Sequence, residues 1–270
     1  MGQKVNPNGL RLGINRDWSS HWYADKKHFS VYLKEDIDIR RYLEKEINRL
    51  DAGLSHIDID RVRDQISVSI YVSQPGMVVG QDGVTIKALK AGLLKAVHKK
   101  DEEIKLIIVE VKNPDLDAVL VARDICRQIE QRGSIRTIEK KAVARIMRAG
   151  AKGCKVRCSG RINGADIARF EQHRDGVLSL HTLRQPVDYC EMQAHTISGV
   201  IGVKVWISLP ENYKELRERK PDDRRSGYRG NRNGRPGNRG NGDRRGSRPA
   251  PSARPAQIPN PEKDSDQKGE

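Results

Sequence analysis

The sequence predicts an α+β protein built from two folded units and a basic C-terminal tail. Between 36 and 112 the hydrophobic pattern indicates a helix, two strands, a short helix, a glycine loop, a second helix and a strand. Between 113 and 209 it indicates two helices followed by four strand-like segments, which is the pattern of helices packed on one antiparallel sheet. Beyond 210 the aliphatic residues nearly disappear, so this segment lacks the material for a core.

The chain carries an excess of positive charge, which favours a polyanionic partner. Its 270 residues include 51 Lys and Arg against 36 Asp and Glu, a formal net charge of +15, and the pI is about 9.8. Nucleic acid is the expected partner for such a composition. No apolar run has the length of a membrane helix, and no apolar signal core is present. Four cysteines are too few for a disulfide scaffold. We therefore expect a soluble, cytoplasmic protein without a membrane partner.

The first unit, at 36–112, follows an irregular N-terminal arm at 1–35. Its first helix is predicted at 36–50, because apolar residues recur there at helical spacing, at Ile39, Leu43, Ile47 and Leu50. The later elements are two strands of alternating apolar and polar residues near 57–60 and 66–72, a short helix at 77–79, a helix at 84–99 and a strand at 104–111.

The second unit, at 113–209, opens with a helix signal. Asn113 suits the N-cap and Pro114 the first helical position, which predicts a helix to about 131, where Gly133 breaks it. The later elements are a helix at 135–149 and strand-like segments at 154–162, at 170–183 (folded back on 174–176), at 187–197 and at 200–209. The rest of the chain, 210–270, is predicted to hold a short helix and then a disordered tail rich in Arg and Gly.

One short motif indicates a function. Gly80, Gln81, Asp82 and Gly83 form a G-x-x-G loop that lies between a short apolar helix and a long amphipathic one. Glycines let the backbone approach a sugar-phosphate strand, and the N–H groups that start the next helix are free to bind phosphate. The pattern recurs at 150–153 and 199–202, where a helix C-cap and a strand-to-strand turn are the simpler interpretations. The order of elements around the first loop resembles a type II KH domain.

Longer segments resemble the family of the third bacterial small-subunit ribosomal protein. They are MGQKVNPNGLRLG at 1–13, GAKG at 150–153, KV at 155–156, SGR at 159–161, IAR at 167–169, LHTLR at 180–184 and GVKVWI at 202–207. Together these segments cover 1–209 in order and are more specific than the glycine loop. The resemblance implies a structural protein of the small-subunit head that binds 16S-type rRNA and lines the path by which mRNA enters.

The resemblance also implies sites and partners. In the KH unit, RNA would meet Gly80, Gln81, Asp82, Gly83 and Lys87. The residues expected to face rRNA are Gln3, Lys4, Arg11, Arg148, Lys152, Lys155, Arg157, Arg161, Arg169, Arg174, His181 and Arg184. The residues expected to meet mRNA are Arg132, Arg136, Lys140, Lys141 and Arg145. The expected protein neighbours are small-subunit proteins ten and fourteen, with four and five near the mRNA path.

The glycine loop separates two hypotheses about function. The family usually has basic residues inside this loop, whereas this chain has Gln81 and Asp82. Because an anion there repels phosphate, we expect the KH unit to bind single-stranded RNA weakly. The alternative function, a free-standing KH regulator that captures single-stranded RNA, calls for a basic loop and stacking aromatic residues. The chain has only 3 Trp, 7 Tyr and 2 Phe, which favours the ribosomal hypothesis.

The helix predicted from Ile135 provides an independent argument for RNA binding. Its apolar side consists of Ile135, Ile138, Ala142 and Ile146, and its cations spread over the opposite side at Arg136, Lys140, Lys141, Arg145 and Arg148. Only Glu139 is available to balance these five cations, so a polyanion would relieve their mutual repulsion. A basic face that merely contacts solvent is the alternative.

The cysteines favour a structural interpretation. Cys154 and Cys158 alternate with Lys155 and Arg157, so a strand would bury both thiols and expose both cations. A zinc site completed by other Cys and His residues, at 190 and 195, would not have zinc-finger spacing.

No enzyme motif stands out. Asp58 and Asp60 share a strand face, but Arg61 and Arg63 adjoin them and no third metal ligand is nearby. Walker, zinc-protease and serine-hydrolase motifs are absent from the sequence. We therefore expect no catalytic residues, no metal and no cofactor.

Overall fold

The computed structural model describes residues 4–62, 65–97, 103–210 and 213. Apart from Pro210 and Tyr213, the predicted short helix and Arg/Gly-rich tail of 210–270 lie outside the described residues. Gln3 and Arg63 also lie outside them.

From Lys26 onward the helices and strands follow each other in the predicted order, and the arm before it also holds a short helix and a short strand. The helices are α1 (Pro7–Leu10), α2 (Lys26–Arg49), α3 (Pro75–Val79), α4 (Val84–Val97), α5 (Ala118–Glu130) and α6 (Ile135–Arg148). The strands are β1 (Ser20–His21), β2 (Leu54–Val62), β3 (Gln65–Val72), β4 (Ile104–Glu110), β5 (Gly153–Gly160), β6 (Arg169–Gly176), β7 (Val187–Thr196) and β8 (Gly199–Ser208).

The first unit has the type II KH order of elements that the sequence predicts. Its sheet runs β1-β2-β3-β4, with β2 antiparallel and β4 parallel to β3. The alternating residues of β2 divide as expected, because Ile57 and Ile59 are buried under α2 and α4 while Asp58 and Asp60 lie on the other face. The core of this unit is therefore a single layer between the sheet and two helices.

The first long helix starts ten residues earlier than predicted, so the N-terminal arm is shorter. The apolar period starts only at Ile39, but α2 begins at Lys26. Trp22 packs its ring against Phe29 on the added turns, at a centroid distance of 5.6 Å, and its indole N–H donates to the buried Asp36 at 2.7 Å. These contacts with the arm hold helical turns that have little apolar burial of their own. The arm also contributes β1, which pairs in parallel with β2.

The second unit is the expected pair of helices on a four-stranded antiparallel sheet, in the order β6-β5-β8-β7. Its core joins the buried sides of α5 and α6 to the inner faces of β5, β7 and β8. Cys154 and Cys158 are both fully buried in this core, as the alternation on their strand predicts.

Two details of the second unit differ from the prediction. The segment at 114–116 is a single 3-10 turn, and α5 starts at Ala118, where the side chain of Asp117 instead of Asn113 accepts the N–H groups of Val119 and Leu120. The segment predicted as a folded strand pair at 170–183 contains one strand, β6, followed by irregular chain. That irregular chain is held by side chains of the N-terminal arm, which local patterns do not reveal.

Polar contacts join the two units. The hydroxyl of Ser55, on β2, donates to the carboxylate of Asp117. Arg123, on α5, donates to the carbonyl of Leu54 at 2.9 Å. The two units therefore share one buried and one partly buried hydrogen bond around the start of α5.

Candidate nucleic-acid interface

The glycine loop of the KH unit forms a tight turn between α3 and α4. Gly80 (φ 71°), Asp82 (φ 52°) and Gly83 (φ 72°) all have left-handed backbone conformations. A Cβ atom at Gly80 would lie 2.2 Å from the hydroxyl of Thr85, so only glycine allows this close approach to α4. Gln81, Asp82 and Lys87 are exposed. The loop therefore presents backbone together with one carboxylate to any strand that approaches it.

The G-x-x-G segments at 150–153 and 199–202 have the simpler structures predicted for them. Gly150 (φ 94°) lies just after the end of α6, and its N–H donates to the carbonyl of Met147 at 3.1 Å. Gly199 and Gly202 belong to β8, immediately after the turn from β7. Of the three G-x-x-G segments in the described ranges, only the loop at 80–83 connects two helices.

Replacing Gln81 and Asp82 with lysine is expected to increase the affinity for single-stranded oligouridylate. Two further phosphate contacts would make the plot of log K against log salt steeper by about 1.4, because each contact on a single strand contributes about 0.7. Filter binding over a range of salt concentrations measures both effects. The exposed Glu44 and Asn48 of α2 offer a control with the same charge change when both become lysine. If the native loop already binds at micromolar concentration in physiological salt, the charge argument is wrong.

The corner between α5 and α6 is a left-handed turn that exposes a cation. Arg132 has φ 63°, and its backbone N–H donates to the carbonyl of Ile129 at 2.9 Å. Gly133 follows without space for a side chain, because a Cβ atom there would lie 2.9 Å from the Gln128 carbonyl oxygen. Close packing around Gly133 therefore holds the backbone of the corner in this conformation, and the side chain of Arg132 is exposed there.

Helix α6 has the two-sided character that its sequence predicts. Ile135, Ile138, Ala142 and Ile146 are buried, whereas Arg136, Lys140, Lys141 and Arg148 are exposed. Within the part of the chain that the structure describes, Lys140 and Lys141 form no ion pair, and Arg136 has one loose contact of 3.5 Å with Glu171. Three cations thus remain available beside the corner.

Two residues of α6 depart from the predicted arrangement. Arg145 pairs with Asp124 of α5 and lies 4.0 Å from Asp115, so its charge is already balanced. Its predicted role on the mRNA side therefore has less support than that of the other cations of α6. Glu139 does not balance the cations, because it is completely buried under the sheet. Its carboxylate accepts the N–H of Cys158 at 3.1 Å and lies 3.5 Å from His173, and burial raises its pKa.

The outer face of the second sheet carries cations and aromatic rings. Lys155 lies over the ring of Trp206 at 5.2 Å, and Arg157 lies over that of Phe170 at 4.3 Å. Burial lowers the pKa of Lys155, and the charges of Lys4, Arg157 and Arg174 lower it further. The cations therefore lie close enough to repel one another, as expected for a surface that meets a polyanion.

The aromatic residues of this face were missed from the sequence. Trp206 also contacts Tyr189 at a centroid distance of 5.2 Å. A usable signal exists in the alternation of 202–207, which puts Lys204 and Trp206 on one side of their strand. The neighbouring strands that supply Lys155 and Tyr189 to the same surface become known only from the sheet order.

The other residues expected to face rRNA differ in their exposure. Lys4, Arg148, Lys152, Arg169, Arg174, His181 and Arg184 are exposed. Arg161 is also exposed, but it donates to the carbonyls of Ala165 and Ser198 and so braces its own loop. Arg11 is 2% exposed, which corrects its expected rRNA-facing role. Its guanidinium donates to backbone carbonyls within the protein.

The cysteines and the carboxylate pair have structural surroundings. Burial raises the pKa of Cys154 to about 11 and raises that of Cys158 as well. Asp60 pairs with His21 at 2.9 Å, and Asp58 lies 3.8 Å from His56. Among the described residues, no three His, Cys, Asp or Glu side chains converge as metal ligands would. Nor is any helix in those ranges long and apolar enough to cross a membrane.

A KH unit with a glycine loop, joined to an α+β unit with cationic outer surfaces, defines a two-domain RNA-binding protein. Residues 38–116 match the KH domain family, and 125–207 match the family described as ribosomal protein S3, C-terminal domain. Small ribosomal subunit protein uS3 of Streptococcus mutans is 49% identical over 207 residues, which cover 77% of this chain and 93% of that protein. The proteins of the same name from Streptococcus sanguinis and Streptococcus gordonii have the same identity and coverage. The chain therefore belongs to the uS3 family of small ribosomal subunit proteins.

Family membership confirms the main functional predictions. The chain is a structural, non-enzymatic protein of the small ribosomal subunit, and it binds rRNA and neighbouring ribosomal proteins. Because the match extends over both folded units, the ribosomal hypothesis is preferred to the alternative of a free-standing KH regulator.

Proposed function

We propose that the α5–α6 corner contacts mRNA where mRNA enters the small subunit and favours the unpaired strand over a downstream hairpin. The residues assigned to this role are Arg132, Arg136, Lys140 and Lys141. The observation that carries the proposal is that the apolar side of α6 is fully packed, while these cations, on α6 and at the corner before it, remain exposed and largely unpaired. Arg145 is left out of the set because Asp124 already balances its charge.

The chemistry required of this corner is electrostatic. Cations bind the phosphates of a single strand without contacting its bases, so their effect does not depend on the sequence of the message. Each phosphate bound on the open strand lowers the free energy of that strand relative to the paired hairpin. No nucleotide hydrolysis by this protein is needed, because the forward step of the ribosome supplies the work.

The remaining partners follow from the same proposal. The cationic sheet face and the exposed residues around it would contact 16S-type rRNA in the head of the subunit. Small-subunit proteins ten and fourteen would be its neighbours, with four and five near the mRNA path, on ribosomes in the cytoplasm. Cross-linking of assembled subunits followed by mass spectrometry would identify these neighbours.

Alanine at Arg132, Arg136 and Lys140 together is expected to slow translation through a stable mRNA hairpin several-fold and to leave unstructured messages almost unaffected. The reason is that only a paired message requires the strand to be opened. The measurement is single-turnover translation of matched messages with and without a hairpin, on ribosomes that carry the variant protein.

A matched control removes the same charge elsewhere. Lys34, Arg41 and Lys45 are exposed on α2, and their replacement by alanine should slow neither message. If the α6 variant slows both kinds of message equally, or is lost from the subunit, these residues hold rRNA and the proposal is refuted.

A further inference from the structure

We infer that residues 179–185 form a phosphate-binding loop for an RNA backbone, and that Arg11 is the residue that positions this loop. The inference rests on the rRNA-binding role of the protein and deepens it by identifying a contact surface made of backbone N–H groups. Its ligand is a phosphodiester group of RNA.

The loop is folded around two side chains of the N-terminal arm. Arg11 donates to the carbonyls of Leu180 at 3.1 Å, Thr182 at 3.2 Å and Gln185 at 2.9 Å, with a longer contact of 3.4 Å to Ser179. Asn15 donates to the next two carbonyls in the loop, those of residues 183 and 184, at 2.8 and 2.7 Å. Six carbonyl groups from seven consecutive residues therefore point toward either Arg11 or Asn15.

The inward carbonyls determine where the N–H groups point. In a planar trans peptide the N–H of each residue is directed opposite to the carbonyl of the residue before it. The N–H groups of Leu180, His181 and Leu183 are consequently directed away from Arg11, and that of Arg184 is directed away from Asn15. None of these four groups donates to an acceptor within the described ranges, whereas the N–H of Gln185 closes a turn onto Thr182 at 3.2 Å. Clustered outward N–H groups in turn conformations form anion-binding surfaces.

The charges around the loop favour an anion. No acidic residue occurs in 177–186, and the exposed side chains of His181 and Arg184 lie on the loop itself. Beneath the loop, Arg11 is buried and makes no ion pair with any residue that the structure describes. A guanidinium stays charged in proteins. Arg11 lies on the carbonyl side of the loop peptides, and an anion would bind on their N–H side. The positive charge of Arg11 has no carboxylate partner there, so it attracts the anion across the loop backbone.

Nearby carboxylates do not cancel this charge. Asp188 is buried and already accepts both Arg16 at 2.8 Å and the N–H of Ala118 at 2.9 Å. A phosphate at the loop would thus receive several N–H hydrogen bonds and a charge-assisted one from Arg184. Charge-assisted hydrogen bonds of this kind are about twice as strong as neutral ones.

The direct test is an NMR titration of the full-length, ¹⁵N-labelled protein with a hexameric oligouridylate and, separately, with inorganic phosphate. We expect the amide resonances of Leu180, His181, Leu183 and Arg184 to shift downfield and saturate with both probes. Saturation should need at least tenfold less oligouridylate, because neighbouring phosphates reach other cations. Tighter binding of inorganic phosphate would identify a free-anion site and overturn the assignment to RNA.

The positioning role is tested by Arg11→Lys, which keeps the charge but cannot reach carbonyls along the whole loop. In this variant the ligand-induced shifts of the four loop amides are expected to fall to less than half of their wild-type size. Its affinity for oligouridylate is expected to fall several-fold. Arg127→Lys is the control for the same exchange away from the loop, since Arg127 pairs with Asp51 in the other unit, and it should match wild type. Unchanged amide shifts in Arg11→Lys, with only a lower melting temperature, would reduce Arg11 to a structural role.

The titration distinguishes failure of this inference from failure of the wider function. If the wild-type protein joins small subunits but its four loop amides do not respond to either probe, the loop is not a phosphate site and the rRNA role stands. If the protein does not co-sediment with small subunits, the wider role fails as well.

Discussion

Replacing Asp117 with alanine is expected to lower the midpoint of thermal unfolding by about 6–12 °C. The carboxylate is fully buried and accepts two N–H groups at the start of α5, as well as the hydroxyl of Ser55 from the KH unit. Loss of an N-cap costs about 1 kcal/mol, and loss of a buried acceptor for a hydroxyl costs roughly 2 kcal/mol more. For a folded region of this size, each 1 kcal/mol corresponds to about 2–4 °C. Differential scanning calorimetry measures the effect.

Asparagine at Asp117 is the matched control. The asparagine side chain keeps one oxygen that accepts the helix N–H groups. Its other oxygen is replaced by an NH₂ group, which is able to donate to the hydroxyl oxygen of Ser55. Asp117→Asn is therefore expected to lower the midpoint of thermal unfolding by less than half as much as Asp117→Ala. An alanine variant that melts within about 2 °C of wild type, below the cost of an ordinary cap, would show that the cap and the inter-unit bond contribute little.

Alanine at Gly153 is expected to destabilise the second unit by about 3 kcal/mol, the upper end for forcing extra volume into a packed site. A Cβ atom there would lie 2.5 Å from both the amide nitrogen and the carbonyl oxygen of Val177. Both contacts are with backbone, so no flexible side chain is able to move away. The strands must then separate at the hydrogen bond from Val177 to Lys152, which is 3.0 Å long. Chemical denaturation followed by circular dichroism reports the loss.

A second glycine of the same sheet provides the comparison. At Gly202, on β8, the nearest atom to an added Cβ is the hydroxyl of Ser159 at 3.3 Å. Alanine there is expected to cost far less than at Gly153. Equal losses at the two positions would show that any side chain on a sheet glycine is harmful, and that the backbone approach at Gly153 has no special effect.

Sequence patterns were sufficient for most of the fold. The alternation in β2 and β3, the apolar stripe of α6 and the buried pair Cys154 and Cys158 all appear where the patterns indicate. Each of these signals lies within about fifteen residues, because helix and strand periodicities repeat over a few positions. The candidate cations of α6 were found for the same reason.

Residues whose partners are distant in sequence were interpreted less well. Glu139 appears among cations in the sequence, yet the helix turns it toward Cys158 and His173 in the core. Arg145 has a helical position that suits RNA, but Asp124 on the neighbouring helix neutralises it. In both cases the nearest charges in space belong to another element, which periodicity within one helix does not describe.

The opening segment of the chain shows most clearly where local information ends. Its residues are among those that indicate the family, and its basic side chains suggested contact with RNA. Only the tertiary structure places Arg11 inside the protein, with carbonyl partners 168 to 174 residues further along the chain. Helices and strands are determined by hydrogen bonds and side-chain alternation among near neighbours, so the sequence alone predicts them. Whether a cation meets RNA or supports the loop that does so depends on how distant elements pack together, and that is decided only when the chain has folded.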